Sequence, residues 1–347
     1  MNAVSNGRLG NGVKLAGDPA DGGGRTGHSR FAFARRWEFI LFALFVAGFG
    51  LCSWVSPYFL DVWNLSDATF NFTEKAIVAL PMALLIIARE IDISIAGIMA
   101  LASVAMGLAA GAGADVWLVV AVGLATGLAC GIVNGTLVTV FRVPAIVATI
   151  GTMSLFRGVG YAILGDQVLK SYPAGFDAFG QGYFWGPISN EFALFLVLAA
   201  LFAVVLHGTS VGRRIYAIGN NPEVARFSGV AVDRYRFVLF AVVGLAAGLA
   251  SVCLTSRLGS TRPSLAVGWE LEIITMVVLG GVSILGGVGT ILGVVLAAFL
   301  MGLVTFGLGL VNVPGIVMQI VVGVLLVAVI SIPVALRKLG LTRGGRR

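Results

Sequence analysis

The residues most able to do chemistry in this sequence lie in one short segment, Arg89-Glu90-Ile91-Asp92-Ile93-Ser94, set between two apolar runs. Ionisable groups at membrane depth cost about 2.5 to 3.5 kcal/mol each, so such groups either cap helices at an interface or line a polar pathway. Asp92 or Ser94 is suited to cap the helix that follows, and capping with interfacial placement outweighs direct contact with a solute. Arg157 lies deeper, in Thr152-Met153-Ser154-Leu155-Phe156-Arg157-Gly158, where a lone cation needs a partner or water. Together with the polar positions Asn134 and Thr152, the residues Glu90, Asp92, Ser94 and Arg157 form the candidate pathway or gating set. The carboxylate pairs Glu90/Asp92 and Glu270/Glu272 would serve an ion-coupled secondary transporter of a small polar solute, but both sit at the ends of apolar runs.

Other chemistries lack their residues. Cys52, Cys130 and Cys253 each sit inside an apolar run, with no CxxC pair and no Cys/His cluster, so neither a disulfide framework nor a metal site follows. His28 lies in a polar stretch and His207 at the end of an apolar run, which leaves no general base for nucleophilic catalysis. Gly208-Thr209-Ser210-Val211-Gly212 matches a GxSxG elbow by spacing, yet an apolar helix precedes it where a strand is required. No GxxxxGK[ST] loop exists to cradle nucleotide phosphates. The run Gly280-Gly281-Val282-Ser283-Ile284-Leu285-Gly286-Gly287-Val288-Gly289 lacks the lysine and reads as a tight turn or re-entrant backbone.

The elements that must hold these residues are membrane helices. Of 347 residues, 58% are hydrophobic and only 11% charged, with a mean hydropathy of +0.99. A soluble domain carries about 25% charged residues, so this composition excludes an ordinary cytosolic enzyme, a disordered regulator and a nucleic-acid binder. The net charge of +7 reflects cytoplasmic loops rather than phosphate partners. The expected fold is an all-α polytopic membrane protein of about ten transmembrane helices (8–10), at 39–57, 74–88, 93–112, 116–141, 143–165, 190–208, 237–256, 271–285, 289–311 and 314–336. The runs 74–88 and 271–285 are short, which predicts broken or tilted half-helices lining a polar pathway.

Placing both termini in the cytoplasm puts 18 of the 23 basic residues on that side. It also makes 209–236 the largest internal loop and 166–189 the largest external one. Residues 1–36 are expected to be a disordered cytoplasmic tail, 37–338 the membrane domain, and 339–347 a basic cytoplasmic tail. Gly123, Gly127, Gly131 and Gly135 form a ladder on one helix face, echoed by Gly107 with Gly111 and by Gly244 with Gly248, which predicts close helix contacts. Val143-Pro144-Ala145-Ile146-Val147 and Val313-Pro314-Gly315-Ile316-Val317 echo each other, an expected trace of an inverted repeat.

Within 209–236, a basic stretch, a Gly-Asn-Asn-Pro turn and a short helix able to end at Gly229 predict a folded knob suited to docking on a soluble partner. Here the sequence resembles permease subunits of ATP-binding-cassette sugar importers, the ribose and arabinose permease subfamily. The knob matches their GR-x-x-YAIG-x-N-x-x-AAR-x-SG segment through Gly212, Arg213, Tyr216, Gly219, Asn221, Ala225, Arg226, Ser228 and Gly229, with Asn220 beside Asn221 in the turn. Ile91-Asp92-Ile93-Ser94, Thr149-Ile150-Gly151-Thr152-Met153 through Arg157-Gly158, and the Leu279–Gly289 run agree as well. Leu164-Gly165-Asp166-Gln167 and Leu254 to Ser264 look most like permeases for rhamnose and for autoinducer-2. Many members carry Gly-Gly where this chain has Arg89-Glu90.

The resemblance implies a transport subunit with no catalytic residues, in the bacterial inner membrane. It also implies an ATPase partner that carries ATP and magnesium, a periplasmic sugar-binding protein, and a second permease chain forming a homo- or heterodimer. No cofactor is implied on this chain, and the residues of the knob are the expected ATPase-coupling loop.

Overall fold

The computed structural model describes residues 25–318 continuously, with side chains from Trp37 onward, and scattered positions of the helical stretch beyond. The helices are α1 (Arg25–Val55), α2 (Val62–Phe70), α3 (Thr73–Ile87), α4 (Ile95–Gly111), α5 (Val116–Thr139), α6 (Ala145–Leu164), α7 (Ala178–Gln181), α8 (Asn190–Ala203), α9 (Ser210–Asn220), α10 (Pro222–Phe227), α11 (Val232–Leu258), α12 (Trp269–Leu279) and α13 (Ile291–Leu310). A π-helical turn, Val204–Gly208, extends α8 toward α9. A two-stranded antiparallel hairpin, β1 (Tyr183–Trp185) with β2 (Ile188–Ser189), departs from the all-helical expectation.

Beyond its first turn, Thr73-Glu74-Lys75, helix α3 is apolar on every side, and a helix of that kind belongs in a core rather than at a surface. Fourteen of its fifteen residues are buried, with α11, α8, α12 and α13 around it. The expectation that 74–88 lines a polar pathway is therefore corrected: α3 is the apolar centre of the bundle. Its bend of 50° from α2 does agree with a broken span. Helix α12 has 11 residues, which at 1.5 Å each reach about 16 Å, half of a hydrocarbon core. Among the described residues, six helices are long and apolar enough to cross a membrane, or seven if the α2/α3 pair counts as one. The expected ten are thus not all realised as full spans, because α4 and α12 are short; the run 314–336 falls largely outside the described residues, as do 1–24 and 339–347. Helix α1 begins at Arg25, inside the stretch read as tail.

The glycine ladder does what close packing requires. A Cβ on Gly127 would lie 2.5 Å from the Gly244 carbonyl oxygen, and one on Gly131 would lie 2.5 Å from that of Phe240. Gly244 and Gly248 face Gly123, Gly127 and Gly131 in return, so α5 and α11 touch backbone to backbone. The pair on α4 behaves differently. Gly107 faces the Leu169 and Thr261 side chains, and Gly111 is exposed with nothing within 4 Å, so it makes no helix contact.

The echoed Val-Pro segments share one local turn. Arg142 and Asn312 both take left-handed φ (58° and 57°). The amides of Val143 and Val313 then bond back to Leu137 O and Leu308 O, each at 3.0 Å, before proline opens the next helix. Both segments thus end one helix and open the next in the same way.

Candidate functional site

Residues 209–230 fold into two capped helices instead of the single short helix expected. Thr209 caps α9 by accepting from the Val211 amide at 3.1 Å, and Asn221 caps α10 by accepting from Glu223 and Val224, with Pro222 at the first helical position. Gly229 takes φ +81°, and the Val230 amide bonds back to Ala225 O at 3.0 Å, closing α10 with a Schellman turn. The GxSxG match is resolved by the same geometry, since Ser210 is simply the first residue of α9.

The knob has an inner and an outer face. Gly212, Gly219 and Ala225 are buried and Tyr216 is half-buried, whereas Arg213, Asn220, Asn221, Arg226, Ser228 and Gly229 are exposed. Gly212 lies so close to Leu206 O that a Cβ would stand 1.8 Å from it, and a Cβ on Gly219 would stand 1.9 Å from Ile87 O. Tyr216 donates its hydroxyl to Gly289 O at 2.6 Å; burial, reinforced by the Glu38 carboxylate, pushes this phenol up to about 12, so it remains a neutral donor. Arg226 pairs with Asp233 at 2.6 Å, both about half-exposed. Val224 and Phe227 project outward at 58% and 92% exposure, two apolar side chains that the sequence motif did not single out.

The inner face meets the segment in which the sequence concentrates charge. Arg89 follows the end of α3 with φ +68°, and the Glu90 amide bonds back to Leu85 O at 3.1 Å. This is the position of a Schellman turn that glycine usually fills, because the left-handed region costs other residues about 1 to 2 kcal/mol. Arginine offsets that cost through its head group. Nε donates to Gly219 O at 2.7 Å and Nη2 to Asn220 O at 2.8 Å, the last carbonyls of α9. Cationic donors at a helix C-terminus satisfy otherwise orphaned acceptors and match the helix dipole. The glycine turn joins the same junction, with the Gly287 amide donating to Ile87 O at 2.9 Å.

Glu90 turns the other way and pairs with Arg236 at the start of α11, at 2.9 Å. Burial raises the Glu90 carboxyl above the usual carboxylate range, against the lowering effect of Arg236. Both residues border a cavity of about 280 Å³ that Arg142, Arg226 and Asp233 also line. Asp92 is fully buried and accepts from the Ser94 amide (2.8 Å), the Ser94 hydroxyl (2.6 Å) and Asn134 Nδ2 (3.1 Å). Asp92 therefore caps the entry to α4, while the Ser94 hydroxyl makes no cap bond of its own. It also ties that entry to α5 through Asn134.

The candidate pathway residues thus separate. Asp92, Ser94 and Asn134 form one buried cluster, and Glu90 belongs to the adjoining ion pair. Thr152 bonds only within α6, to Thr149 O at 3.3 Å. Arg157 lies toward the far end, donating to Pro263 O and Leu265 O at 3.1 and 3.2 Å, so it staples α6 to the chain after α11. Sequence reasoning named two carboxylate pairs and missed a third site. Glu74 and Glu191 are fully buried, and Arg257 bonds Glu74 at 2.7 Å. The signal available was a glutamate at or beside the first residue of two apolar runs. Of the pair at α12, Glu272 is bonded to Lys75.

Comparison with known proteins agrees with this architecture. Residues 64–330 match the family model described as the branched-chain amino acid transport system / permease component. The autoinducer 2 import system permease protein LsrD of Klebsiella pneumoniae subsp. pneumoniae is 35% identical over 301 residues, covering 85% of this chain and 90% of that protein. Its counterparts in Yersinia enterocolitica and Escherichia coli O9:H4 are 34% and 33% identical, each over 300 residues and 85% of this chain, covering 90% and 91% of their own lengths. The chain is a transport subunit rather than an enzyme, and it belongs to this permease family, with the resemblance to sugar importers of the ATP-binding-cassette class borne out.

Proposed function

We propose that this chain is the membrane-embedded permease of an importer for autoinducer-2 or a closely related sugar-like solute in the bacterial inner membrane. Both termini face the cytoplasm, and the knob is the surface on which a partner ATPase docks. The ATPase carries ATP with magnesium, and this chain binds no cofactor of its own. A periplasmic binding protein delivers the solute, and a second permease chain completes the pathway. On this reading, closure of the ATPases pushes the knob, and the knob tilts the helices it is fastened to.

The observation that carries the proposal is the construction of the knob. Its inner face is locked to the bundle at Gly212, Tyr216 and Gly219, while its outer face presents Arg213, Val224 and Phe227. A merely solvated loop would not need the backbone-tight inner contacts at Gly212 and Gly219. The run of relatives named for autoinducer-2 import directs the choice of solute. The rhamnose reading rests on the segments around Asp166 and Thr261 alone.

The test is uptake into proteoliposomes that hold this chain with its partner permease and ATPase, with loaded binding protein outside. Autoinducer-2 and rhamnose are supplied in separate arms, and ATP or a sodium or proton gradient in further arms. ATP-dependent accumulation of autoinducer-2 is the expected result. Accumulation driven by an ion gradient without ATP would refute the proposal, and rhamnose uptake alone would refute its solute.

A further inference from the structure

The cavity of about 280 Å³ between the α5–α6 turn, α10 and the start of α11 is lined by three arginines, Arg142, Arg226 and Arg236, and by two carboxylates, Glu90 and Asp233. Arg226 meets Asp233 through Nη2, and Arg236 meets Glu90 through Nη1. A guanidinium has five N–H donors and a carboxylate fork takes up two of them, so both arginines keep donors to spare. Arg142 is exposed and has no hydrogen bond or ion pair among the described residues. It also holds a left-handed φ of 58° after the end of α5, a conformation that disfavours any residue with a Cβ. Arg89 offsets the same cost with bonds to α9, whereas Arg142 has no such bond. With both carboxylates ionised, three arginines less two acids leave the lining at a net charge of +1.

We infer that this cavity binds a phosphate group, supplied by the headgroup of an anionic phospholipid in the adjoining leaflet. The ligand chemistry is that of a phosphate oxyanion, which arginine donors match in planar forks. Position selects the source. Arg142 lies between the end of the α5 span and the start of the α6 span, the level at which lipid headgroups begin. Val140, Phe141, Ile146 and Val147 flank it along the chain and are exposed, an apolar surface suited to acyl chains. Charge selects the same source, because a phosphodiester carries one negative charge and balances the lining. A free phosphate resembles a phosphate monoester at about −1.5 to −2 and would set excess anion against Glu90 and Asp233. Basic pockets among membrane helices on the cytoplasmic side hold anionic headgroups in this way. The inference depends neither on the solute nor on the ATP-driven mechanism.

The experiment uses the full chain, purified and delipidated in mild detergent, with thermal unfolding followed by size-exclusion fluorescence. Three probes are titrated separately: phosphatidylglycerol, phosphatidylcholine with the same acyl chains, and inorganic phosphate. Phosphatidylglycerol should raise the melting temperature saturably, as a ligand of the folded state does, and its apparent affinity should fall as salt is added. Arg142→Gln should weaken that affinity about tenfold, and Arg142→Glu should abolish the response. Both substitutions alter an exposed side chain without internal bonds, so the fold should survive them. Arg234→Gln removes another exposed arginine that does not line the cavity and should keep the parental affinity.

A response to phosphatidylcholine equal to that to phosphatidylglycerol overturns recognition of an anionic headgroup. Inorganic phosphate that gives the same saturating shift and blocks the lipid overturns the lipid source. Equal losses in Arg234→Gln and Arg142→Gln mean diffuse surface charge and sink the cavity as the site. Absence of any lipid response in the parent overturns the proposal outright. If Arg142→Gln then also loses the ATPase or the partner permease from the purified complex, the cavity belongs to a protein contact instead.

Discussion

Replacing Gly127 with alanine adds one methyl group to the backbone-to-backbone contact of α5 with α11. Its Cβ would stand 2.5 Å from Gly244 O, 2.7 Å from Gly248 Cα and 2.8 Å from Gly248 N. Nonbonded carbon atoms settle at about 3.5 to 4.0 Å, so α5 and α11 must part by about 1 Å at the crossing. No flexible side chain can yield, because every atom met belongs to backbone. Overpacking of this kind costs about 1 to 3 kcal/mol, while the exchange of glycine for alanine inside a helix returns up to about 1 kcal/mol. Because every atom met is backbone, the upper part of that range applies, about 2 to 3 kcal/mol, and less about 1 kcal/mol for the helix propensity Gly127→Ala should be destabilised by about 1 to 2 kcal/mol.

Gly111→Ala is the matched control. It lies on an exposed face with nothing within 4 Å and should stay within about 0.5 kcal/mol of the parent. Thermal unfolding of the purified chain in mild detergent, followed by size-exclusion fluorescence, measures both. Equal melting temperatures for the two variants would refute the argument that backbone contact fixes this crossing. Gly127→Leu and Gly131→Leu extend the series and should leave little folded protein in the membrane.

Topology is tested by a membrane-impermeant thiol reagent on intact cells: Ala174→Cys should react, and Phe227→Cys, on the exposed face of the knob, should be shielded. Gly219 is a poor place for that probe because it is buried against Ile87. Arg236→Gln strands the Glu90 carboxylate in a largely buried setting and should cost about 2 to 3 kcal/mol, and adding Glu90→Gln should recover at least half; equal melting temperatures of the single and double variants would show that the pair is not coupled. Arg226→Glu faces Asp233 across a half-exposed gap and should change stability by less than about 1 kcal/mol yet abolish stimulated ATP hydrolysis in the complex. Full stimulation in that variant would remove the outer face of the knob from the docking surface.

Composition and run length determined that this chain lives in a membrane, because 11% charged residues cannot clothe a soluble surface of this size. Spacing determined the α5/α11 contact, since glycines four apart must share a helix face whatever the rest of the fold does. Turn chemistry likewise marked the knob, through Asn221-Pro222 and Gly229. Hydropathy alone could not tell a lipid-facing helix from one buried in protein, because both are apolar. Hence α3, read as a pathway half-helix, turned out to be the apolar centre.

Spacing also failed at Gly111, where the ladder pattern continues but no partner helix arrives. The deepest loss was in the polar residues. Glu90, Asp92 and Arg89 are neighbours in sequence but point to Arg236, Asn134 and Gly219, at separations of 42 or more residues for the last two. Glu74, Glu191 and Arg257 meet from three helices. Which charges share a site depends on how the helices cross. Only the tertiary structure decides that, because a side chain's partner is set by distance in space and the sequence records only distance along the chain.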